Sequence, residues 1–110
     1  MHLSDAEFET LVERILERWC DAIEDAELAP LEAELHDGIL TVRAEGAGTF
    51  IVNKHMPLKQ LWYSSPYSGA SHYVFEPGSR LWRNTREGQD LAGLFGAELA
   101  RAGGGRVALD

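Results

Sequence analysis

The spacing of the apolar residues changes at Leu31, and this change restricts the fold of the chain more than any other feature. Before Leu31 the apolar residues recur three or four positions apart, at Phe8, Leu11, Val12, Ile15, Leu16, Trp19 and Ile23. From Leu31 onward they alternate with polar residues, as in Leu31, Ala33 and Leu35 against Glu32, Glu34 and His36. The first spacing is that of an amphipathic helix and the second that of a half-buried strand. A helix followed by a sheet is therefore predicted, packed together through the apolar face of each.

The residues that flank the first helix predict where it begins and ends. Ser4 and Glu7 have the spacing of a capping box, in which each side chain binds a free backbone N–H of the first turn. Pro30 cannot continue a helix, because proline lacks the backbone N–H that the helix requires. We expect the first helix to begin after Ser4 and to end near Ala26.

Turn-forming residues divide the central part of the sequence into strands. Asp37-Gly38 is a favoured two-residue hairpin turn. Pairing across this turn joins apolar residues with each other, Leu35 with Leu40 and Ala33 with Val42, and joins the acidic Glu32 with the basic Arg43. Further strands are predicted at residues 49–54, 58–65, 72–75 and 81–84.

The last part of the chain predicts a second helix and completes the fold class. Asp90 can cap this helix, because the residues after it return to helical spacing, at Leu91, Leu94, Phe95 and Leu99. Three consecutive glycines from Gly103 predict its end and a flexible tail over residues 103–110. The order of elements predicts one α+β domain over residues 1–110. Its architecture is a two-layer sandwich, with two helices on one face of an antiparallel sheet of about five to six strands.

The composition excludes several kinds of partner and site. Residues 1–45 hold 13 acidic and 3 basic residues, a net charge of −10, whereas residues 46–110 hold 5 acidic and 7 basic residues, a net charge of +2. The first part would repel nucleic acid and attract cations or basic proteins. No apolar run approaches the roughly 20 residues that cross a bilayer, so no membrane partner is expected. Cys20 is the single cysteine. No residues show the pattern of a nucleophilic or acid–base catalytic site, so no catalytic residue is assigned.

The four histidines lie on different predicted elements, without the spacing of a zinc site. We interpret His2, His36, His55 and His72 as ordinary surface residues.

Carboxylates recur along the polar side of the first helix and form what we call the acidic ridge: Glu9, Glu13, Glu17, Asp21 and Asp25, each four residues from the next, with Glu24 beside them. Residues four apart lie on one side of a helix. One interpretation is a solvated face that only keeps the protein soluble. The other is a site for hard cations such as iron, which would bind weakly because a helix projects its carboxylates outward and does not enclose an ion.

Trp62 raises a separate question, because alternation along residues 58–65 separates it from Leu61 and Tyr63. If Leu61 and Tyr63 face the core, Trp62 lies with polar residues on the open face of the sheet. An aromatic ring among polar side chains is the composition of a protein-interface hot spot. A buried Trp62, with the opposite face exposed, remains the alternative at this point.

The stretch "FIVNKHMPLKQLWYSSPYSGASHYVF" resembles the central block of the frataxin family: a strand, Asn-Lys, a turn ending in proline, Gln-hydrophobic-Trp, Ser-Ser-Pro and Ser-Gly. The acidic first helix, the "DGILTV" hairpin and the closing "LAGLFGAEL" helix stand in the family's order. The resemblance covers about residues 3–102. It departs from the family at Pro30, where some members carry an acid, and at Gly93, where glutamate is usual. Reduced iron capacity and modest stability are therefore expected.

The resemblance implies a regulatory partner of iron–sulfur cluster assembly, which docks on the cysteine desulfurase and scaffold proteins through its sheet and binds Fe2+ or Fe3+ weakly. By resemblance, the partner-binding residues are Asn53, Lys54, Gln60 and Trp62. By resemblance too, the iron-binding residues are Glu13, Glu17, Asp21, Glu24, Asp25 and Glu32. A ferroxidase or iron-storage protein, and an acidic adaptor that binds no metal, are the alternatives. We expect a monomer, cytoplasmic if the source is prokaryotic and in the mitochondrial matrix if the chain is a mature eukaryotic protein.

Overall fold

Helix α1 (Asp5–Asp25) begins and ends where its flanking residues predict. The computed structural model describes residues 3–109 of the chain. In it the Glu7 backbone N–H donates to the Ser4 hydroxyl at 3.1 Å, and the Ser4 N–H donates to the Glu7 carboxylate at 2.9 Å. This is the predicted capping box, and these two hydrogen bonds lower the pKa of Glu7 below its ordinary value. The apolar face of α1 is buried, including Phe8, Val12, Leu16, Trp19 and Ile23.

Six antiparallel strands follow α1 and pair in the order of the sequence: β1 (Leu31–His36), β2 (Ile39–Ala44), β3 (Gly48–His55), β4 (Gln60–Ser65), β5 (Gly69–Glu76) and β6 (Leu81–Asn84). The predicted hairpin register is confirmed, since Leu35 pairs with Leu40, Ala33 with Val42 and Glu32 with Arg43. Asp37 and Gly38 both have positive φ, 48° and 74°, as a two-residue hairpin turn requires.

Strand β4 is shorter and strand β5 longer than predicted. Strand β4 begins at Gln60 rather than at residue 58, because residues 56–59 form a turn. In this turn the Lys59 N–H donates to the Met56 carbonyl at 3.0 Å, and Lys59 has a φ of 52°. Strand β5 spans eight residues instead of four, because it pairs with β4 from Gly69 onward.

Both helices pack on the same face of the sheet, so the predicted two-layer α+β sandwich is confirmed. Helix α2 (Leu91–Gly103) is capped by the Asp90 carboxylate, as predicted. Phe95 of α2 joins the layers: its ring centroid lies 5.8 Å from that of Trp19 on α1 and 5.1 Å from that of Tyr63 on β4. The Tyr63 hydroxyl donates to the Glu98 carboxylate of α2 at 2.7 Å.

The segment after α2 packs against the domain. Helix α2 includes Gly103 and ends at Gly104, which has a φ of 79°. Val107 and Leu109 are then buried, with exposed fractions of 5% and 7%. The prediction of a flexible tail over residues 103–110 did not anticipate this packing, because two apolar residues are too few to show a period; Asp110 itself lies outside the described residues. Within residues 3–109 neither helix is long and apolar enough to cross a membrane.

The two glycines within α2 provide a test of how this helix is stabilised. A Cβ added at Gly93 would lie 3.7 Å from the nearest Asp90 oxygen, an ordinary contact, whereas a Cβ at Gly96 would lie 3.3 Å from the Val107 carbonyl oxygen. We expect Gly93→Ala to raise the free energy of unfolding by about 1 kcal/mol, because alanine favours the helix. Gly96→Ala should gain less or destabilise. Urea unfolding of both variants measures this, and a destabilised Gly93→Ala variant would contradict the packing described.

Candidate functional site

The face of the sheet that lies away from the helices carries the first candidate site, and we call it the open face. Its position depends on β4, where Leu61 and Tyr63 are buried at 0% and 1% exposure and therefore turn the intervening residues outward. Gln60, Trp62 and Ser64 lie on the open face, and Trp62 pairs directly with Asn53 of β3. The structure thus brings Asn53, Gln60 and Trp62 together, and the alternative of a buried Trp62 is wrong.

Trp62 is held between two histidines and is only half exposed. The imidazole of His55 on β3 lies over one face of the indole, with ring centroids 3.9 Å apart and planes inclined by 8°. The imidazole of His72 on β5 lies over the other face, at 4.3 Å and 11°. We call these three rings the His–Trp–His stack. Because both faces of the indole are covered, only the edge of the Trp62 ring is available to a partner.

The polar atoms around the stack are also partly engaged. The Trp62 indole N–H donates to the Gln60 side-chain oxygen at 2.9 Å, which fixes two of the predicted partner-binding residues relative to each other. The Leu58 backbone N–H donates to Nδ1 of His55 at 3.4 Å, so the stack is connected to the turn between β3 and β4. The stack is therefore positioned by local contacts before any partner binds.

Lys54 does not lie on the open face, although the resemblance implied that it binds partners with Asn53. It follows Asn53 in β3, and successive side chains of a strand point to opposite faces. Its ammonium group forms an ion pair with Glu9 of α1 on the helical side of the sheet. Lys54 thus links the two layers and also binds one carboxylate of the acidic ridge.

Apolar side chains surround the stack on the open face. Ile39 of β2 and Val74 of β5 are each 37% exposed, and Leu58 in the neighbouring turn is 59% exposed. Ile39 pairs with Asn53, and Val74 pairs with Gln60, so both lie next to the predicted partner-binding residues. This combination of exposed apolar side chains and a positioned aromatic ring is typical of the centre of a protein interface.

The acidic ridge and Glu32 form the second candidate site, and their carboxylates are spread out. All six predicted iron-binding residues are exposed: Glu13, Glu17, Asp21, Glu24, Asp25 and Glu32. Among residues 3–109, no three acidic, histidine or cysteine side chains converge well enough to hold a metal ion. This arrangement fits loose binding of cations along a charged surface. It does not fit a closed site of fixed geometry.

Two of the predicted iron-binding residues, Glu24 and Glu32, line the same groove at one end of the acidic ridge. This shallow groove of about 290 Å³ lies between the end of α1 and strand β1. Glu27 lines the same groove and was not predicted. Its position depends on the turn after α1, where Glu27 has a φ of 50°, and helical periodicity does not extend to this turn.

Cys20 lies beside the ridge, and its surroundings disfavour the thiolate. Its thiol is buried and donates a weak hydrogen bond to the Glu24 carboxylate at 3.7 Å. Burial, and then the negative charges of Glu24 and Asp21, raise the pKa of the Cys20 thiol to about 11. The thiol is therefore mostly protonated near neutral pH, which disfavours it as a thiolate ligand or as a nucleophile.

His55 and His72 are the residues of the open face that the sequence analysis missed. Both were interpreted as ordinary surface histidines, but each is half-buried against Trp62. His72 pairs directly with Trp62, and His55 lies diagonally across from it. Pairing β3, β4 and β5 in their correct register would have placed both histidines next to Trp62. His36 lies outside the stack, with its Nε2 3.2 Å from Asp37, and His2 lies outside the described residues.

Comparison with known proteins finds relatives over most of the chain. The sequence model of the frataxin-like domain family matches residues 1–105. "Iron-sulfur cluster assembly protein CyaY" of Pseudomonas aeruginosa is 32% identical over 102 residues, which cover 93% of each chain. "Frataxin, mitochondrial" of Dictyostelium discoideum is 32% identical over 96 residues, which cover 86% of this chain and 47% of that protein. The chain thus spans about half the length of the latter relative.

Solved structures share the fold. Frataxin from Psychromonas ingrahamii superposes with a TM-score of 0.86, covering 98% of this chain and 99% of that one, at 22% sequence identity. Trimeric frataxin from the yeast Saccharomyces cerevisiae, complexed with ferrous iron, superposes with a TM-score of 0.76 at 28% identity, covering 86% of each chain. The family match over residues 1–105 and the relatives at more than 30% identity lead to one conclusion: this chain belongs to the frataxin-like domain family.

Proposed function

We propose that this chain acts in iron–sulfur cluster assembly as a regulatory partner that docks on the cysteine desulfurase and scaffold complex through its open face. The observation that carries the proposal is the His–Trp–His stack, a positioned aromatic edge with exposed Ile39 and Val74 beside it. Such an aromatic anchor among apolar neighbours supplies most of the free energy in many interfaces. The name of the P. aeruginosa relative supports the same pathway.

The uneven charge of the chain supports a second contact with the same complex. The acidic ridge lies along α1, and its members Glu13, Glu17, Asp21, Glu24 and Asp25 are exposed. Glu9, the first member, forms an ion pair with Lys54. A basic surface on the partner would be attracted to this charge, which would speed and orient the encounter more than it would add affinity. The open face then supplies the short-range contacts. Catalysis belongs to the desulfurase in this proposal.

Iron binding is proposed as weak and carried by the acidic ridge together with Glu32. Exposed carboxylate oxygens are ligands that iron accepts, and the yeast neighbour is described as a complex with ferrous iron. Because the carboxylates of this chain do not converge, we expect several loose sites. A ferroxidase would need a preorganised set of ligands, so the described residues do not favour that alternative.

Trp62→Ala tests the docking surface. We expect it to weaken binding to a reconstituted desulfurase and scaffold complex by 2 kcal/mol or more, roughly 30-fold, because it removes the aromatic anchor. Trp62→Phe should lose less, since a ring would remain between the imidazoles. Thr49→Ala is the matched control, because Thr49 lies exposed at the far end of the same face. Calorimetry without iron measures these affinities, and equal affinity for wild type and Trp62→Ala would rule out this docking mode.

Neutralising part of the ridge tests iron binding. The double variant Glu13→Gln and Glu17→Gln should bind less Fe2+ in anaerobic calorimetry, because two adjacent ridge carboxylates are removed. Glu45→Gln with Glu87→Gln is the matched control, since it removes the same charge from exposed positions outside the ridge. Equal loss in both double variants would indicate that iron responds only to net charge. It would then count against a site on the ridge.

The raised pKa of Cys20 generates a prediction about reactivity. With a pKa of about 11, the thiolate fraction at pH 8 is roughly 200-fold lower than for an unperturbed cysteine. Iodoacetamide should therefore modify Cys20 very slowly in the folded protein and rapidly in urea. The folded-state pKa lies above the unfolded one, so this group should also make folding less favourable as pH rises from about 8.5 toward 11. Rapid alkylation in the native state would contradict the burial described.

A further inference from the structure

A groove between helix α1 and the last strands of the sheet lies on the helical side of the sheet, away from the open face. Its volume is about 400 Å³. Its floor is apolar and consists of Leu11 and Ile15 of α1, Phe75 of β5 and Trp82 of β6. The rings of Phe75 and Trp82 are packed together, with centroids 5.3 Å apart. Leu11, Ile15 and Phe75 are only partly buried, so the floor remains open to solvent.

Three arginines line this groove from two sides, and we call it the arginine groove. Arg14 and Arg18 belong to α1, and Arg80 belongs to the turn between β5 and β6. The guanidinium carbon of Arg80 lies over the Phe75 ring, 5.6 Å from its centroid. Within residues 3–109, neither Arg14 nor Arg80 forms an ion pair with an acid. The chain has a net charge of −8, so this concentration of positive charge is local.

Two acids of the ridge, Glu17 and Asp21, also line the groove, but they lie further from its floor. Arg14 follows Leu11 by three residues, which places the two about 60° apart around the helix axis. Glu17 follows Leu11 by six residues and is about 120° away from it. Arg18 and Asp21 have the same relation to Ile15. An anionic group on the floor would therefore meet the arginines before the acids.

The charge and the open form of the groove restrict its occupant. Guanidinium groups pair with carboxylates and phosphates, whereas an apolar floor favours an apolar group. A small anion would leave much of its surface in water here, since sites for small ligands enclose roughly 70–90% of the ligand. Nucleic acid would be repelled by the acidic ridge on the same helix. A protein segment can supply a carboxylate and an apolar group together, and it covers the groove with its own surface.

We propose that the arginine groove binds an acidic segment of a protein partner, in which a carboxylate side chain stands next to an apolar one. The apolar side chain packs on Leu11, Ile15 and Phe75, and the carboxylate lies between the arginines of the two sides. The groove and Trp62 lie on opposite sides of the sheet, so this contact goes beyond the proposed docking through the open face and does not depend on it.

The test uses a blocked peptide, acetyl-Gly-Glu-Leu-Glu-Gly-amide, titrated into the ¹⁵N-labelled protein at low salt. Two matched peptides replace both glutamates by glutamine, or the leucine by glycine. The acidic peptide should shift the indole resonance of Trp82 and the backbone amides of residues 11–18, which border the groove. It should bind roughly 3- to 10-fold more tightly than either matched peptide. The Trp62 indole, on the open face, is the reference resonance.

A pair of double variants assigns the contact to the arginines. Arg14→Gln with Arg80→Gln removes a cation from each side of the groove and should weaken binding of the acidic peptide by roughly 3- to 10-fold. Arg86→Gln with Arg106→Gln is the matched control, since it removes the same charge from exposed positions outside the groove. Urea unfolding of both double variants verifies that they remain folded.

Each other result contradicts the inference. Equal affinity of the acidic and glutamine peptides would mean that the groove does not distinguish charge. If the glycine peptide or inorganic phosphate bound as tightly as the acidic peptide, the groove would be an anion site only. Equal loss in both double variants would indicate attraction to net charge alone. No shift of Trp82 and residues 11–18 at about 10 mM acidic peptide would also overturn the inference, because even a weak contact has a Kd of about 1 mM.

Discussion

The inward orientation of Tyr63 on β4 determines which residues lie on the open face of the sheet. Its ring packs against Phe95 of α2, and its hydroxyl donates to Glu98 of the same helix. Burial and this hydrogen bond raise the pKa of Tyr63 well above its ordinary value, so the hydroxyl remains a donor. A strand shifted by one residue would bury Trp62 and expose Tyr63. The contact between β4 and α2 thus keeps Trp62 and its neighbours on the open face of the sheet.

The two layers of the domain have different electrostatic properties. Helix α1 presents exposed carboxylates that do not converge, whereas the open face presents an aromatic stack with apolar side chains nearby. Such a division would let one small domain approach a basic surface with its helix while its sheet makes short-range contacts. Lys54 connects the layers, because it lies on the helical side of β3 and pairs with Glu9 of α1.

Local sequence patterns were sufficient to predict most of the fold, and they failed where side-chain positions depend on contacts across the sheet. The capping box, the Asp37-Gly38 hairpin and the alternation around Trp62 each depend on a few neighbouring residues, and the structure has all three. The position of Lys54 on the helical side of the sheet did not follow from the resemblance, because a resemblance names residues without their faces. The roles of His55 and His72 depend on the register of three strands, and the packing of Val107 depends on the end of α2. The periodicity of the apolar residues predicts neither the contacts of the two histidines nor the burial of Val107.

In the proposed function, the open face around Trp62 is the surface that the assembly complex covers. Hydroxyl-radical footprinting of the protein, free and bound to the desulfurase and scaffold complex, measures this side chain by side chain. Trp19 and Trp82 are buried and serve as internal references, with exposed fractions of 1% and 4%. We expect binding to protect Trp62, Ile39 and Val74 from oxidation. Unchanged oxidation of these three residues in a complex that has formed would contradict it.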